Sequence, residues 1–154
     1  MRDVVIVDAI RTPLGRRGGV FSKEHPIEMS ALLLKALASR NNLDTSMVDD
    51  VIYGCVSEVG AQSTNLARNV VLTAGWPFSI PGITLDRQCS SSQQAVHFAA
   101  NQIAAGVHDV VVAGGTEWMS QIPLGSNIGQ NLGFPFTQAM QDKYDLTSQG
   151  LSAE

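Results

Sequence analysis

Charged side chains are scarce in this sequence. They make up 16% of its 154 residues, and ten basic residues against fourteen acidic ones leave a formal net charge of −4. A chain with that balance has no general attraction for nucleic acid or for an anionic membrane surface. The hydrophobic fraction of 44% is high enough to build a packed core. The composition therefore predicts a globular domain and argues against nucleic-acid and membrane-surface partners.

Long apolar runs and metal-ligand patterns are also missing. The uncharged apolar stretches are far shorter than the roughly 20 residues that cross a bilayer. The chain begins with a strand-like VVIVDAI after three residues, not with a signal-peptide core, so we expect a cytoplasmic protein. Its two cysteines, Cys55 and Cys89, are expected to stay reduced in that compartment. The three scattered histidines lack zinc-ligand spacing, and we expect no metal.

The order of the apolar segments predicts an α/β fold. Runs typical of buried strands alternate with helical periodicity in the order β-α-β-α-β-α-β, which favours a mostly parallel sheet with right-handed crossovers. Residues 121–145 follow the last strand without a steady period and are rich in Gly, Gln, Asn, Phe and Pro, so we expect a long irregular excursion there. The predicted strands are 4–10, 51–56, 83–87 and 109–115, and the predicted helices are 26–41, 66–74 and 90–105.

Cys89 lies at the junction between a predicted strand and a predicted helix. Unpaired N–H groups at a helix start favour a thiolate over a thiol, and they can stabilise the oxyanion that forms when a thiolate attacks a carbonyl. The position therefore predicts a nucleophile. The alternative, from spacing alone, is a small buried cysteine that caps the strand. Cys55 falls inside strand 51–56 and is most simply a packed core residue.

Two other segments have a distinctive composition. The loop RTPLGRRGG, residues 11–19, holds three arginines that either meet a phosphate or form a solvated turn with local salt bridges. Helix 90–105 carries small or apolar residues around most of its circumference. A helix with that pattern is expected to be buried on more than one side.

Four stretches, in order along nearly the whole sequence, carry a family resemblance: VVIVDAIRTPLGRRGG, DRQCSSSQQA, VVVAGGTEWMS and QGLSAE. Together they resemble the amino-terminal part of the thiolases, acyl-CoA acyltransferases that make or cleave 3-ketoacyl-CoA. The resemblance implies a thiolase-like layered fold of which this chain holds an incomplete amino-terminal half. Residues 1–120 would form the incomplete amino-terminal domain, and residues 121–154 the truncated start of the loop domain.

The resemblance also implies a two-step reaction at Cys89. Its thiolate would hold the acyl group as a thioester during thiolytic cleavage or Claisen-type formation of 3-ketoacyl-CoA, with acyl-CoA and coenzyme A as substrates and no cofactor. The family's activating histidine, its acid/base cysteine and its water-orienting asparagine belong to the carboxy-terminal half and have no counterpart here. We therefore expect the fragment alone to be inactive and the complete chain to form a homo-oligomer, either a dimer or a tetramer.

Departures from the family pattern bear on the substrate. Asp86 stands where many thiolases have asparagine, and Ser92 where many have glycine. With the following Gln93-Gln94, these positions are similar to the thiolases of steroid side-chain degradation. Glu117 belongs to a GG-x-E-x-M-S element for which we expect a mainly structural role.

Ser148 and Gln149 are the implied substrate-binding residues. Gln149 stands where the family often has a methionine that lines the acyl pocket, and Ser148 is its neighbour. A polar residue there argues against a pocket made for acetyl alone. The alternative is that Gln149 is an exposed turn residue before Gly150.

Two other functions remain open on the sequence. A non-catalytic thiolase-like protein could bind acyl-CoA or a partner subunit, although the presence of Cys89 counts against it. A ketoacyl synthase-like condensing enzyme shares the fold and a cysteine nucleophile, but the RTPLG and GGTEWMS segments resemble thiolases more closely. The resemblance places helix 90–105 between two sheets, and with the second half absent this helix would expose a large apolar patch. We therefore predict that the isolated chain is poorly stable, self-associates or needs a partner.

Overall fold

The computed structural model of the chain describes residues 2–129, 131 and 133–154. Within them helices alternate with parallel strands, so the predicted α/β class is confirmed. Two short 3-10 turns lie at Thr45–Met47 and Gly60–Gln62. In chain order the helices and strands are α1 (Pro26–Asn41), β1 (Asp50–Gly54), α2 (Leu66–Thr73), β2 (Gly82–Leu85), α3 (Ser91–Ala104), β3 (Val111–Gly115), α4 (Gln138–Lys143) and α5 (Gln149–Ala153).

The three described strands form a parallel sheet in the order β2-β1-β3. Ile52 of the central strand pairs with Ile83 on one side and with Ala113 on the other. Helices α2 and α3 make the two crossovers, as parallel pairing requires. All three strands therefore end at the same edge of the sheet, and the loops after them meet there.

The core lies on both faces of this sheet. A larger cluster packs α1 and α2 against one face, where Leu34, Leu66 and Val70 are fully buried. A smaller cluster packs α3 against the other face through Ile52, Ala95 and Ala99. Central strand β1 is buried along its whole length because it has helices on both sides.

The predicted first strand, residues 4–10, is wrong in this structure. No strand forms there, and Val5, Ile6 and Val7 are 73–81% exposed. Residues 4–10 are instead attached to the end of α1, because Asp8 accepts hydrogen bonds from Arg40 and Asn41 there. An apolar run predicts burial in a layer, and no layer within the described residues covers this one.

Helix α3 is less buried than its sequence predicts. Its buried positions, Ser91, Ala95 and Ala99, form a single stripe that faces the sheet. Val96 and Phe98 lie outside the stripe and are 44% and 42% exposed. The expectation of burial on more than one side is therefore wrong for the described chain, while the expected exposed apolar surface is present. This surface is exposed because, among the described residues, no second layer packs on the outer side of α3.

The remaining segments follow the sequence more closely. Helices α1, α2 and α3 agree with their predicted ranges within one or two residues. The stretch after β3 is irregular over its described residues until α4, a short helix that the composition does not predict. No helix in the described part of the chain is both long and apolar enough to cross a membrane.

Candidate active site

Cys89 is exposed at the turn that joins β2 to α3. The residue before it, Gln88, has a left-handed backbone with φ of +50°. A left-handed conformation is unfavourable for a residue with a Cβ, so the surrounding contacts must hold it. Ser90 is the N-cap residue of α3. The predicted nucleophile therefore lies immediately before the start of the helix, and the alternative of a buried capping cysteine does not fit its exposure.

Two side chains fix the Gln88 backbone. The Oδ1 atom of Asp86 accepts a hydrogen bond of 2.6 Å from the Gln88 N–H. The Ser91 hydroxyl donates to the Gln88 carbonyl at 2.6 Å and accepts from the Arg87 N–H at 2.9 Å. Ser90, although it is the N-cap, makes no capping bond with its side chain. The turn that carries Cys89 is thus held from both ends, while Cys89 itself is exposed.

Glycines at the strand ends let α3 approach the sheet. A Cβ on Gly54 would lie 2.7 Å from the Ser91 Cβ and would overlap the Ser92 nitrogen. A Cβ on Gly115 would overlap the Ser92 hydroxyl. Real Cβ atoms do not come that close, so the first turn of α3 sits against backbone where no side chain fits. The Cys89 turn is therefore positioned by direct backbone packing on β1 and β3.

A polar network ties together the loops beside this turn. Glu117 accepts hydrogen bonds from the backbone N–H groups of Val56 (2.8 Å) and Ser57 (3.3 Å). The fully buried Gln62 donates to Glu117 at 3.0 Å and accepts from the Trp118 N–H at 2.6 Å. These bonds connect the ends of β1 and β3, and they support the structural role expected for Glu117.

Carboxylates and a buried thiol adjoin the network. Cys55 lies just past the end of β1 and is 1% exposed. Burial raises the pKa of its thiol to about 12, with added effects of the Glu117 and Glu58 carboxylates. Burial likewise raises the pKa of Glu58, and the neighbouring Asp86 carboxylate adds to that shift. Cys55 is thus a core thiol, as its position in the sequence predicts.

The histidines do not join Cys89 in the described chain. His25 caps α1, where its Nδ1 accepts a hydrogen bond from the Ile27 N–H at 3.3 Å. His97 is an exposed residue of α3, and His108 is partly buried ahead of β3. None of the three forms a hydrogen bond with Cys89, and residues 2–129, 131 and 133–154 hold no metal-binding group of three His, Cys, Asp or Glu side chains.

Ser148 and Gln149 form no hydrogen bond with the Cys89 turn in the described chain. Ser148 is the N-cap of α5 and accepts a hydrogen bond from the Leu151 N–H at 3.4 Å. Gln149 is exposed and begins that helix, so it is not a turn residue. Among described residues, no hydrogen bond connects α4 or α5 to the junction at Cys89. The substrate-binding role of this pair therefore stays a prediction.

A cavity of about 700 Å³ opens beyond the end of β3. It lies between the loop of residues 12–21 and the loop of residues 115–124, and Arg16 and Arg17 are exposed at it. The Trp118 indole N–H holds the two loops together through the Phe21 carbonyl at 2.8 Å. Cys89 is not part of its lining.

Sequence reasoning missed Gln62 and Ser91. Gln62 lies two residues after Gly60 in a polar connection, where no periodicity marks a buried residue. Ser91 stands in a serine run that indicates a helix start without showing which hydroxyl makes the key bonds. For Gln62 the signal is its hydrogen bonds to the loop after β3, and for Ser91 it is the bonds to Arg87 and Gln88 within its own turn. Both kinds of bond are visible only in three dimensions.

Comparison with known proteins gives consistent matches. Residues 4–153 match the family model described as the thiolase N-terminal domain. The chain is 47% identical over 136 residues to the steroid 3-ketoacyl-CoA thiolase FadA6 of Mycobacterium tuberculosis, covering 87% of this chain and 33% of that protein. It is 40% identical over its whole length to the 3-ketoacyl-CoA thiolase of Pseudoalteromonas translucida, 42% of which it covers.

A solved structure supports the same relationship. The crystal structure of the Bacillus anthracis acetyl-CoA acetyltransferase matches with a TM-score of 0.66 and 40% identity, over 70% of this chain and 27% of that one. The chain spans between a third and about two fifths of the length of the curated relatives described above. Since the family model covers nearly every residue, the chain belongs to the thiolase family and corresponds to its amino-terminal domain.

Proposed function

We propose that this chain is the nucleophile-bearing part of a 3-ketoacyl-CoA thiolase and that Cys89 is its catalytic nucleophile. The observation that carries the proposal is the exposed Cys89 thiol directly after the left-handed Gln88, at the carboxyl edge of a parallel sheet and at the start of α3. Relatives named 3-ketoacyl-CoA thiolase align with the whole chain. An exposed thiol beside a helix start is well placed to attack a carbonyl.

The proposed reaction has two steps. In cleavage, the Cys89 thiolate attacks the C3 carbonyl of a 3-ketoacyl-CoA, and the C2–C3 bond breaks. Its electron pair stays on C2, which takes up a proton to give acetyl-CoA, while the shortened acyl group remains on Cys89 as a thioester. The thiolate of a second coenzyme A then attacks that thioester, releases acyl-CoA and restores the Cys89 thiolate. The reverse order is Claisen-type synthesis, and coenzyme A enters as a substrate, with no further cofactor.

The residues of this chain supply the nucleophile and its setting. The positive end of the α3 dipole lies beside Cys89 and favours the oxyanion that its attack creates. In the described chain none of the three histidines forms a hydrogen bond with the Cys89 thiol. The base that takes the Cys89 proton is therefore not one of them. We propose that a carboxy-terminal half supplies it and that the 154 residues alone are inactive.

For the substrate we propose an acyl group attached to a steroid. The support is the 47% identity to a protein named as a steroid 3-ketoacyl-CoA thiolase, together with Asp86, Ser92 and the polar Gln149. Ser148 and Gln149 would line the acyl pocket. We also propose a cytoplasmic homo-oligomer, dimer or tetramer, with residues 1–120 as an incomplete domain and residues 121–154 as the start of a loop domain.

Mass spectrometry of an acyl adduct tests the proposal. The chain is mixed with the carboxy-terminal half of a thiolase, given a 3-ketoacyl-CoA without free coenzyme A, digested, and searched for an acylated Cys89 peptide. We expect the adduct in the native chain and in Cys55→Ser, and its loss in Cys89→Ser. Free coenzyme A should then remove it. An adduct that persists in Cys89→Ser would refute the assignment. The assignment would also fail if no mixture gave an adduct at Cys89 while acyl transfer occurred at another residue.

A further inference from the structure

The left-handed backbone at Gln88 needs an explanation. Glycine, or an asparagine, would adopt φ of +50° at little cost, whereas glutamine does so only when its surroundings hold it. Cys89 is the next residue, so the Gln88 conformation sets the direction in which the Cys89 side chain and N–H point. Whatever holds Gln88 also holds the proposed nucleophile.

Asp86 and Ser91 hold Gln88 in different ways. Ser91 is 4% exposed and packs against Gly54, so it is part of the contact between α3 and the sheet. Asp86 is exposed, and its bonds within the described chain go to Gln88 alone: one from the backbone N–H at 2.6 Å and weak ones from the side-chain amide at 3.4 and 3.5 Å. Asp86 is therefore the member of the pair that can be changed without opening the core.

We infer that Asp86 is a positioning residue for Cys89, which acts by accepting the Gln88 N–H and so fixing the turn that presents the thiol. This inference rests on the proposed role of Cys89 as nucleophile. The bond, and not the negative charge, is the part that matters, because the Gln88 N–H needs only an acceptor oxygen at that position. An asparagine at this position keeps the acceptor oxygen and removes the charge.

The test compares two uncharged variants, Asp86→Asn and Asp86→Ala. Asp44→Ala is the matched control, since Asp44 accepts the N–H of the residue two positions on, Ser46, at 3.0 Å in the same kind of turn before β1. The first readout is the rate of Cys89 alkylation by iodoacetamide at pH 7, located by peptide mass spectrometry. The second is hydrogen–deuterium exchange of the peptide that contains Gln88. Both work on the 154-residue chain without catalysis.

We expect Asp86→Asn to alkylate at least as fast as the native chain. Asp86→Ala should be slower than Asp86→Asn by about fivefold, the factor that one hydrogen bond of ordinary strength controls. Exchange at Gln88 should rise in Asp86→Ala but not in Asp86→Asn, and Asp44→Ala should change neither readout. Equal behaviour of Asp86→Asn and Asp86→Ala in both readouts would overturn the inference. So would an equal effect of Asp44→Ala, which would show general loosening of the fold.

Acyl-adduct formation in the presence of a thiolase carboxy-terminal half separates this inference from the proposed function. If the native chain forms no adduct but the alkylation and exchange differences appear, the turn is held as inferred and the acyltransfer role of Cys89 fails. If the native chain forms the adduct and the two variants do not differ, Cys89 is the nucleophile and Asp86 does not position it.

Discussion

Gly54, the last residue of β1, lies so close to Ser91 at the start of α3 that no side chain fits between them. A Cβ on Gly54 would lie 2.7 Å from the Ser91 Cβ. Ser91 in turn binds the backbone of Arg87 and Gln88. The contact therefore links the central strand of the sheet to the turn that carries Cys89, and it makes the position of Cys89 depend on a glycine 35 residues earlier in the chain.

Gly54→Ala should destabilise the fold because the new methyl group would push α3 away from β1. Overpacking of this kind costs about 1–3 kcal/mol, and a lower thermal midpoint by roughly 3–10 °C is expected for a chain of this size. Gly150→Ala is the control, because no atom lies within 4 Å of that position. Differential scanning calorimetry measures both. An unchanged midpoint for Gly54→Ala would show that the contact is looser than the structure indicates.

Cys89 should be the cysteine that reacts with iodoacetamide in the folded chain. Cys55 is buried and its thiol pKa is raised to about 12, so the reactive thiolate is almost absent at pH 7 to 9. Intact-mass analysis should show one modification in buffer and two in denaturant. Two modifications at equal rates in buffer would mean that the core around Cys55 opens readily.

Glu117→Ala should lower stability by about 2–3 kcal/mol. The substitution leaves the N–H groups of Val56 and Ser57 without their acceptor. It also removes one acceptor of the Gln62 amide, which still donates to the Ser57 carbonyl at 2.9 Å. Partly buried donors are costly when unpaired. Urea unfolding followed by circular dichroism measures the change. Glu24→Ala, at an exposed carboxylate before α1, should have little effect. Similar losses for the two variants would contradict the structural role of Glu117.

The sequence made the α/β order, α1 to α3 and the Cys89 turn predictable because each depends on local signals. Apolar periodicity marks the helices, and a serine run after a short strand marks the junction. The prediction of a strand at residues 4–10 was wrong for a physical reason. Their apolar pattern is typical of a strand buried in a layer. A strand also needs a neighbouring strand to pair with and side chains that cover it, and a local pattern indicates neither.

The hydrogen bonds around the site were harder to predict from the sequence than the position of Cys89. Asp86 was visible as a departure from the family pattern, but its bond to Gln88 depends on the left-handed turn. The Gln62 and Glu117 pair is separated by 55 residues and meets because β1 and β3 are neighbours in the sheet. Ser148 and Gln149, inferred from resemblance, form no hydrogen bond with the Cys89 turn within the described chain, so their role remains a prediction.

Glu58→Gln should stabilise the chain at neutral pH. The folded-state pKa of Glu58 is raised, first by burial and then by Asp86, so its neutral form is favoured in the fold. Stability linked to this group is thus present at acidic pH and lost as pH rises through the raised pKa. Because the group is only partly buried and solvent screens its charge, the gain should be about 0.5 kcal/mol or less.

Thermal midpoints at pH 7 and pH 4 test this sign. The advantage of Glu58→Gln over the native chain should appear at pH 7 and shrink at pH 4, where Glu58 itself takes up a proton. Glu24→Gln provides the comparison for removing a negative charge at an exposed site. If the advantage grew as the pH fell, Glu58 would instead be stabilised in its charged form.

The exposed side of α3 should make the isolated chain self-associate. Val96 and Phe98 are more than two-fifths exposed and lie outside the stripe that contacts the sheet, so pairing with a second copy would remove apolar surface from water. Val96→Gln combined with Phe98→Gln should lower the average mass in sedimentation equilibrium at tens of micromolar, with little change in thermal midpoint. Leu32→Gln, at a 56% exposed position of α1, is the matched control and should leave the mass unchanged. A native chain that stays monomeric at that concentration would mean that this surface is too small or too polar at its rim to drive association.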